Sequence, residues 1–114
     1  MTIRSEDVNQ RLRRIFLSGR LDTAGSEQIA PEFAQLAESA AGGVVVHVSA
    51  VRFLSSMAIR MLITAAKAVQ AKGGRMVLYV ADNEVIIRTL EATGVNELIP
   101  MFQDAQDAEK ALLK

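Results

Sequence analysis

A chain of 114 residues with thirteen basic and thirteen acidic side chains has room for one domain and carries no net charge at neutral pH. That balance removes any general electrostatic pull toward nucleic acid or an anionic membrane, and the absence of cysteine excludes disulfides, thiol catalysis and zinc–thiolate sites. Half of the residues are hydrophobic but only 4% are aromatic, so the core must be built from Val, Ile, Leu, Met and Ala, the palette of an α/β protein with a buried sheet.

Met1 to Asp7 is polar and carries acids where a secretory signal needs an apolar run. No apolar stretch approaches the ~18 residues that span a bilayer, so a soluble, cytoplasmic domain without direct membrane contact is expected. Ile3 to Val8 predicts an edge strand ended by Asn9-Gln10. In the next run Leu12, Arg14 and Phe16 alternate with Arg13, Ile15 and Leu17, the pattern of a half-buried strand, and Gly19 is expected to break it. Arg20 to Thr23 leads into a helical pattern with Ile29, Phe33 and Leu36 on one face; Pro31 should kink or divide it, and Gly42-Gly43 closes it. Val44 to Val48 is β-branched and apolar on both faces, as a central strand covered on both sides would be.

Beyond that strand, Ile59, Leu62, Ile63, Ala66 and Val69 form a helical stripe that ends at Gly73-Gly74. Met76 to Val80 predicts another buried strand. Asn83 to Thr93 predicts a helix stopped by Gly94, and Leu98 to Phe102 a short strand that Pro100 assigns to an edge. Asp104 to Leu113 closes the chain as a short helix. The order β-β-α-β-α-β-α-β-α predicts one domain over residues 1–114: a mixed sheet of four or five strands with about four helices, mostly on one face.

The chemistry concentrates at Ser55 and Ser56, between the central strand and the long helix. A hydroxyl there lies at the positive end of a helix dipole among unpaired backbone N–H groups, and can cap the helix, act as a nucleophile or accept a phosphate. A serine hydrolase is disfavoured, because the one histidine, His47, precedes the serines and no Gly-x-Ser-x-Gly elbow exists. Dinucleotide and phosphate-loop motifs are absent, and no metal-ligand spacing is recognisable. The expectation is a protein that is not an enzyme and needs no cofactor.

Four stretches together carry a family pattern. They are Ser18-Gly19-Arg20-Leu21-Asp22; Val44 to Ser49 with Phe53-Leu54-Ser55-Ser56-Met57-Ala58-Ile59; Gly73-Gly74-Arg75-Met76-Val77-Leu78; and Leu90 to Gly94 with the strand and helix that follow. In order and spacing the chain resembles the STAS domain, named for sulfate transporters and anti-sigma-factor antagonists. In bacterial members a serine at the helix start is phosphorylated by a partner that is both anti-sigma factor and serine kinase.

The resemblance implies Ser56 as the phosphoacceptor, with Ser55 and Asp22 near it, and a serine phosphatase to reverse the modification. The kinase, of the ATPase type, would bind ATP and magnesium. Relatives often carry an acid where Ser55 stands and a small Gly at Ala58, and His47 occupies a position where Asp or Asn is usual. The local alternatives are helix caps for Ser55, Ser56 and Asp22, and for His47 a half-buried strand residue with a hydrogen-bond partner rather than a neighbour of the phosphate. Met57, Arg52, Arg60 and Arg20 are the expected partner contacts. A different role for the same fold is a constitutive adaptor subunit of a lipid-transport or sensory complex, with no phosphate exchanged.

Overall fold

The structure, a computed structural model, describes residues 2–113. Strands β1 (Thr2–Asn9) and β2 (Leu12–Leu21) form an antiparallel hairpin, and β3 (Gly43–Leu54), β4 (Met76–Tyr79) and β5 (Met101–Phe102) join it in parallel, in the order β1-β2-β3-β4-β5. The helices are α1 (Thr23–Glu38), α2 (Ser56–Ala71), α3 (Glu84–Thr93), the single turn α4 (Val95–Leu98) and α5 (Ala105–Leu112).

Alternation along the strands sorts the sheet into two faces. Ile15, Leu17, Val44, Val46, Val48 and Leu78 form one core with Phe33, Leu62 and Leu90 from α1, α2 and α3. Leu12, Val45 and Val77 face the other way, against Ala108 and Leu112 of α5. The predicted central strand is thus covered on both sides, and the helices lie mostly on one face, as expected. Two ion pairs fasten the hairpin to its surroundings. Arg13 binds Asp7 across the hairpin and donates to the Leu36 carbonyl at the end of α1, while Arg14 joins Glu6 of β1 to Glu109 of α5.

Four sequence expectations are corrected. Gly19 does not end β2. It takes a left-handed conformation at φ +90° between two register shifts, and the strand bends and continues to Leu21. The central strand correspondingly runs on from Val48 to Leu54, where β2 is its partner; β4 stops at Tyr79 opposite His47, so polar residues are tolerated in the overhang. Pro31 does not divide α1: it sits on the exposed side, where the carbonyl it leaves unbonded meets water, while Ile29, Phe33 and Ala37 hold the inner face. Leu98 is helical rather than extended. After Gly94 (φ +76°) the chain makes one more turn, Ile99 N–H bonding the Val95 carbonyl, and the strand shrinks to two residues.

Candidate functional site at the start of helix α2

The junction between β3 and α2 is built around one carbonyl. Leu54 is buried at the end of β3 and Ser55 keeps an extended conformation, so its N–H donates to the Leu21 carbonyl of β2 at 2.9 Å. Its Oγ turns back and accepts the Ala58 N–H at 3.2 Å, and its carbonyl accepts the Ile59 N–H at 3.0 Å, which makes Ser55 the N-cap of α2. The hydroxyl of Ser26, fully buried in the first turn of α1, donates to the same Leu21 carbonyl at 3.2 Å and lies 3.4 Å from Ser55 Oγ. A serine has one hydroxyl hydrogen. Because that of Ser26 goes to Leu21, that of Ser55 is the one directed at Ser26.

Ser55 therefore has both its donor and its acceptor role engaged. Ser56, the first helical residue, is exposed. Asp22 resolves to a cap: its Oδ1 accepts the Gly25 N–H at 2.7 Å at the start of α1, one residue from the carbonyl that anchors Ser55. The first turns of α1 and α2 thus begin side by side.

Arg20 and Phe53 are paired across β2 and β3, and the guanidinium lies 4.8 Å from the ring centroid, a cation–π contact beside the serine turn. Phe53 is 38% exposed. Arg52 and Arg60 are exposed, the latter one helical turn beyond Ser56, and Met57 is half-buried. The first turn of α2 contains no acidic side chain. Ser55, Ser56, Asp22, Met57, Arg20 and Arg52 consequently gather at one end of the sheet.

His47 does not join them. Between Val46 and Val48, which point into the helix-covered core, it projects from the opposite face of the sheet, its ring 4.4 Å from that of Phe16 and 4.9 Å from that of Tyr79. The expected hydrogen-bond partner is missing, since its Nε2 is buried and unbonded. Burial holds its pKa below the ordinary histidine value; the Arg14 and Arg4 cations add to that, against the opposing influence of Glu109 and Glu6.

A family model for the STAS domain matches residues 5–108. The chain belongs to this family. Its fold is similar to that of an anti-sigma factor antagonist from Mycobacterium paratuberculosis, at 19% identity and a TM-score of 0.87 over 99% of this chain and 94% of that one. It is also similar to the anti-sigma factor antagonist SpoIIAA in its unphosphorylated form (19% identity, TM-score 0.68, 93% and 92% covered). The phosphorylated form of Bacillus SpoIIAA matches comparably, at 16% identity and a TM-score of 0.69 over 96% and 99%. No curated protein matches the sequence.

Three residues that shape this end of the STAS domain escape a sequence reading. Ser26 stands on the apolar stripe of α1, three and seven residues before Ile29 and Phe33, and a polar residue there was the available signal. Asn83 caps α3 through Oδ1 while its Nδ2 donates to the carbonyls of Ser49 at 3.1 Å and Val51 at 2.7 Å, replacing the ladder that β4 no longer supplies. Phe53 becomes an exposed aromatic only because the bulges in β2 and β3 reset the alternation.

Proposed function

We propose that this STAS domain is a non-enzymatic, cytoplasmic regulator of partner switching. On this reading it binds an anti-sigma factor that is also a serine kinase of the ATPase type, is released when that partner phosphorylates Ser56, and is restored by a serine phosphatase. The observation that carries the proposal is the division of labour between the two serines. Ser55 is engaged as the cap and held against Ser26, whereas the Ser56 hydroxyl is exposed at the N-terminus of a sixteen-residue helix.

The surroundings suit both states of such a switch. Backbone N–H groups at the start of a helix and the helix dipole favour a phosphate, and no carboxylate in the first turn of α2 opposes it. Exposed Arg20, Arg52 and Arg60 with Phe53 and Met57 form a mixed basic and apolar surface around the turn, the composition of an interface that seats an acidic, partly apolar partner patch. Adding about −1.5 to −2 charges there disrupts that contact by desolvation and by repulsion from the partner's acids.

The test combines incubation with the cognate kinase and ATP, site mapping, and affinity capture. Ser56→Ala is expected to bind the partner and take no phosphate, and Ser56→Asp to bind more weakly. Phosphate on Ser55 would overturn the assignment. If neither serine is modified and both Ser56 variants capture the partner like wild type, the turn is a helix cap and the constitutive adaptor role replaces the switch.

A further inference from the structure

Helix α5 is only eight residues long and covers Leu12, Val45 and Val77, leaving the rest of its sheet face open. Across that open part a single row of side chains runs in register through all five strands: Arg4, Phe16, His47, Tyr79 and Phe102. Beside the row, between β1 and β3, is a cavity of about 170 Å³ lined by Thr2, Arg4, Phe16, Ser18, His47 and Ser49. It lies on the opposite face of the sheet from α2, and nothing in the proposed switch uses it.

We propose that this cavity binds a small planar carboxylate, with Arg4 and His47 as its polar contacts. Two unfinished interactions point to that chemistry. The His47 Nε2 is buried without a hydrogen-bond partner, and an orphaned buried polar atom signals a missing ligand group or water. Arg4 carries its guanidinium 3.9 Å above the Phe16 ring centroid, so one face is stacked while the N–H edges stay free to donate in their plane. Among the described residues the neighbouring carboxylates are already taken, Glu6 by Arg14 and Asp7 by Arg13. A carboxylate fills both needs: it accepts the forked guanidinium donors with one edge and the Nε2–H of the neutral imidazole with a remaining lone pair.

Size and shape narrow the class. A volume near 170 Å³ is close to that of cavities that admit benzene, roughly 150 Å³, and below the ~300 Å³ at which drug-sized ligands begin. The flat Phe16 and His47 rings that wall it favour an equally flat guest.

The probe is benzoate, titrated into the full-length protein and followed by backbone amide shifts in NMR. Saturable shifts are expected in three segments, residues 2–5, 16–19 and 47–50. Arg4→Gln and His47→Phe are each expected to weaken binding by about tenfold or more, and benzamide, the same shape without the charge, not to saturate. Arg4 lies on an exposed edge strand, so its variant keeps the fold and carries the test even if His47→Phe does not. The proposal is overturned if benzoate gives no saturable shift or shifts the start of α2 instead. It is equally overturned if benzamide binds as well as benzoate, or if Arg4→Gln binds like wild type. Ser56→Ala is expected to leave benzoate binding unchanged, so this result and that of the phosphorylation assay are read separately.

Discussion

Replacing the two serines in turn by alanine separates the cap from the exposed hydroxyl. Ser55→Ala removes the acceptor of the Ala58 N–H, and Ala58 is fully buried, so no water takes over that bond. A lost N-cap costs about 1 kcal/mol, up to about 2 where the donor is left without a partner. Neighbouring bonds survive: the Ser55 N–H still donates to Leu21, and Ser26 keeps its bond to the same carbonyl. For 114 residues, an unfolding entropy of roughly 2.1 cal/mol/K per residue gives about 0.24 kcal/mol per degree, so the expected fall in Tm is ~4–8 °C. Ser56→Ala touches an exposed side chain and should stay within about 0.5 kcal/mol, or ~2 °C. Ser55→Asp should recover most of the loss, since Asp caps as well as Ser and adds a favourable charge at the helix start. The assay is thermal unfolding by circular dichroism, with amide exchange at Ala58 as the local readout. If Ser56→Ala costs as much as Ser55→Ala, or if Ala58 exchange is unchanged by Ser55→Ala, the assignment of cap and free hydroxyl is refuted.

Val46 has no exposed surface, so Val46→Asp places an unpaired charge in the core at a cost of several kcal/mol against a total of roughly 5–15, and should abolish cooperative folding; a melt within a few degrees of wild type would contradict the central position of β3. Asn83→Ala loses the α3 cap and the donors to the Ser49 and Val51 carbonyls, about 2–3 kcal/mol or ~8–12 °C in Tm; a shift under ~2 °C would show that the overhang of β3 does not need the tether. His47 is held below its ordinary pKa of 6.5 in the fold, so the unfolded chain binds more protons as pH drops through that value: its contribution is whole above about 6.5 and is lost on acidification toward the folded value. His47→Phe should flatten the stability curve between pH 7 and pH 5 in urea titrations, and an unchanged slope would assign that dependence elsewhere.

The sequence revealed elements most clearly where one physical signal acted alone. Val44 to Val48, apolar on both faces, lies in the middle of the sheet because a strand buried twice leaves no polar position. The caps at Asp22, Asn83 and Asp104 are written in residue type and all three are made. Reading failed where tertiary pairing overrode a local signal. Gly19 is a strand breaker in isolation, but a long parallel partner in β3 turns it into a bulge. Pro31 breaks a helix only if its face is buried or its neighbours are weak, and neither holds in α1. For the site, the serine turn was legible from type and position. The sorting of its members was not: which serine caps depends on Ser26 and Leu21, thirty residues away in sequence. The face of His47 was fixed by strand parity, since Val46 and Val48 point inward; the family pattern pulled it toward the phosphate against that parity.

A phosphate on Ser56 would arrive on a surface that has little freedom to move. The Leu21 carbonyl receives both the Ser55 N–H and the Ser26 hydroxyl, so the starts of α1 and α2 are pinned to one point of β2. Behind that point Ala58, Leu62, Ala65 and Val69 bury the inner face of α2. Unwinding the first turn would break the cap and expose part of this packing, whereas the phosphate gains stabilisation from the helix N-terminus as it stands. The proposed switch is therefore one of charge on an unchanged scaffold, and SpoIIAA fits that economy, since its unphosphorylated and phosphorylated forms match this chain equally well. The required energy is modest. A hundredfold change in partner affinity is about 2.7 kcal/mol, within reach of desolvating a single phosphate against a partner that offers it no matching cation.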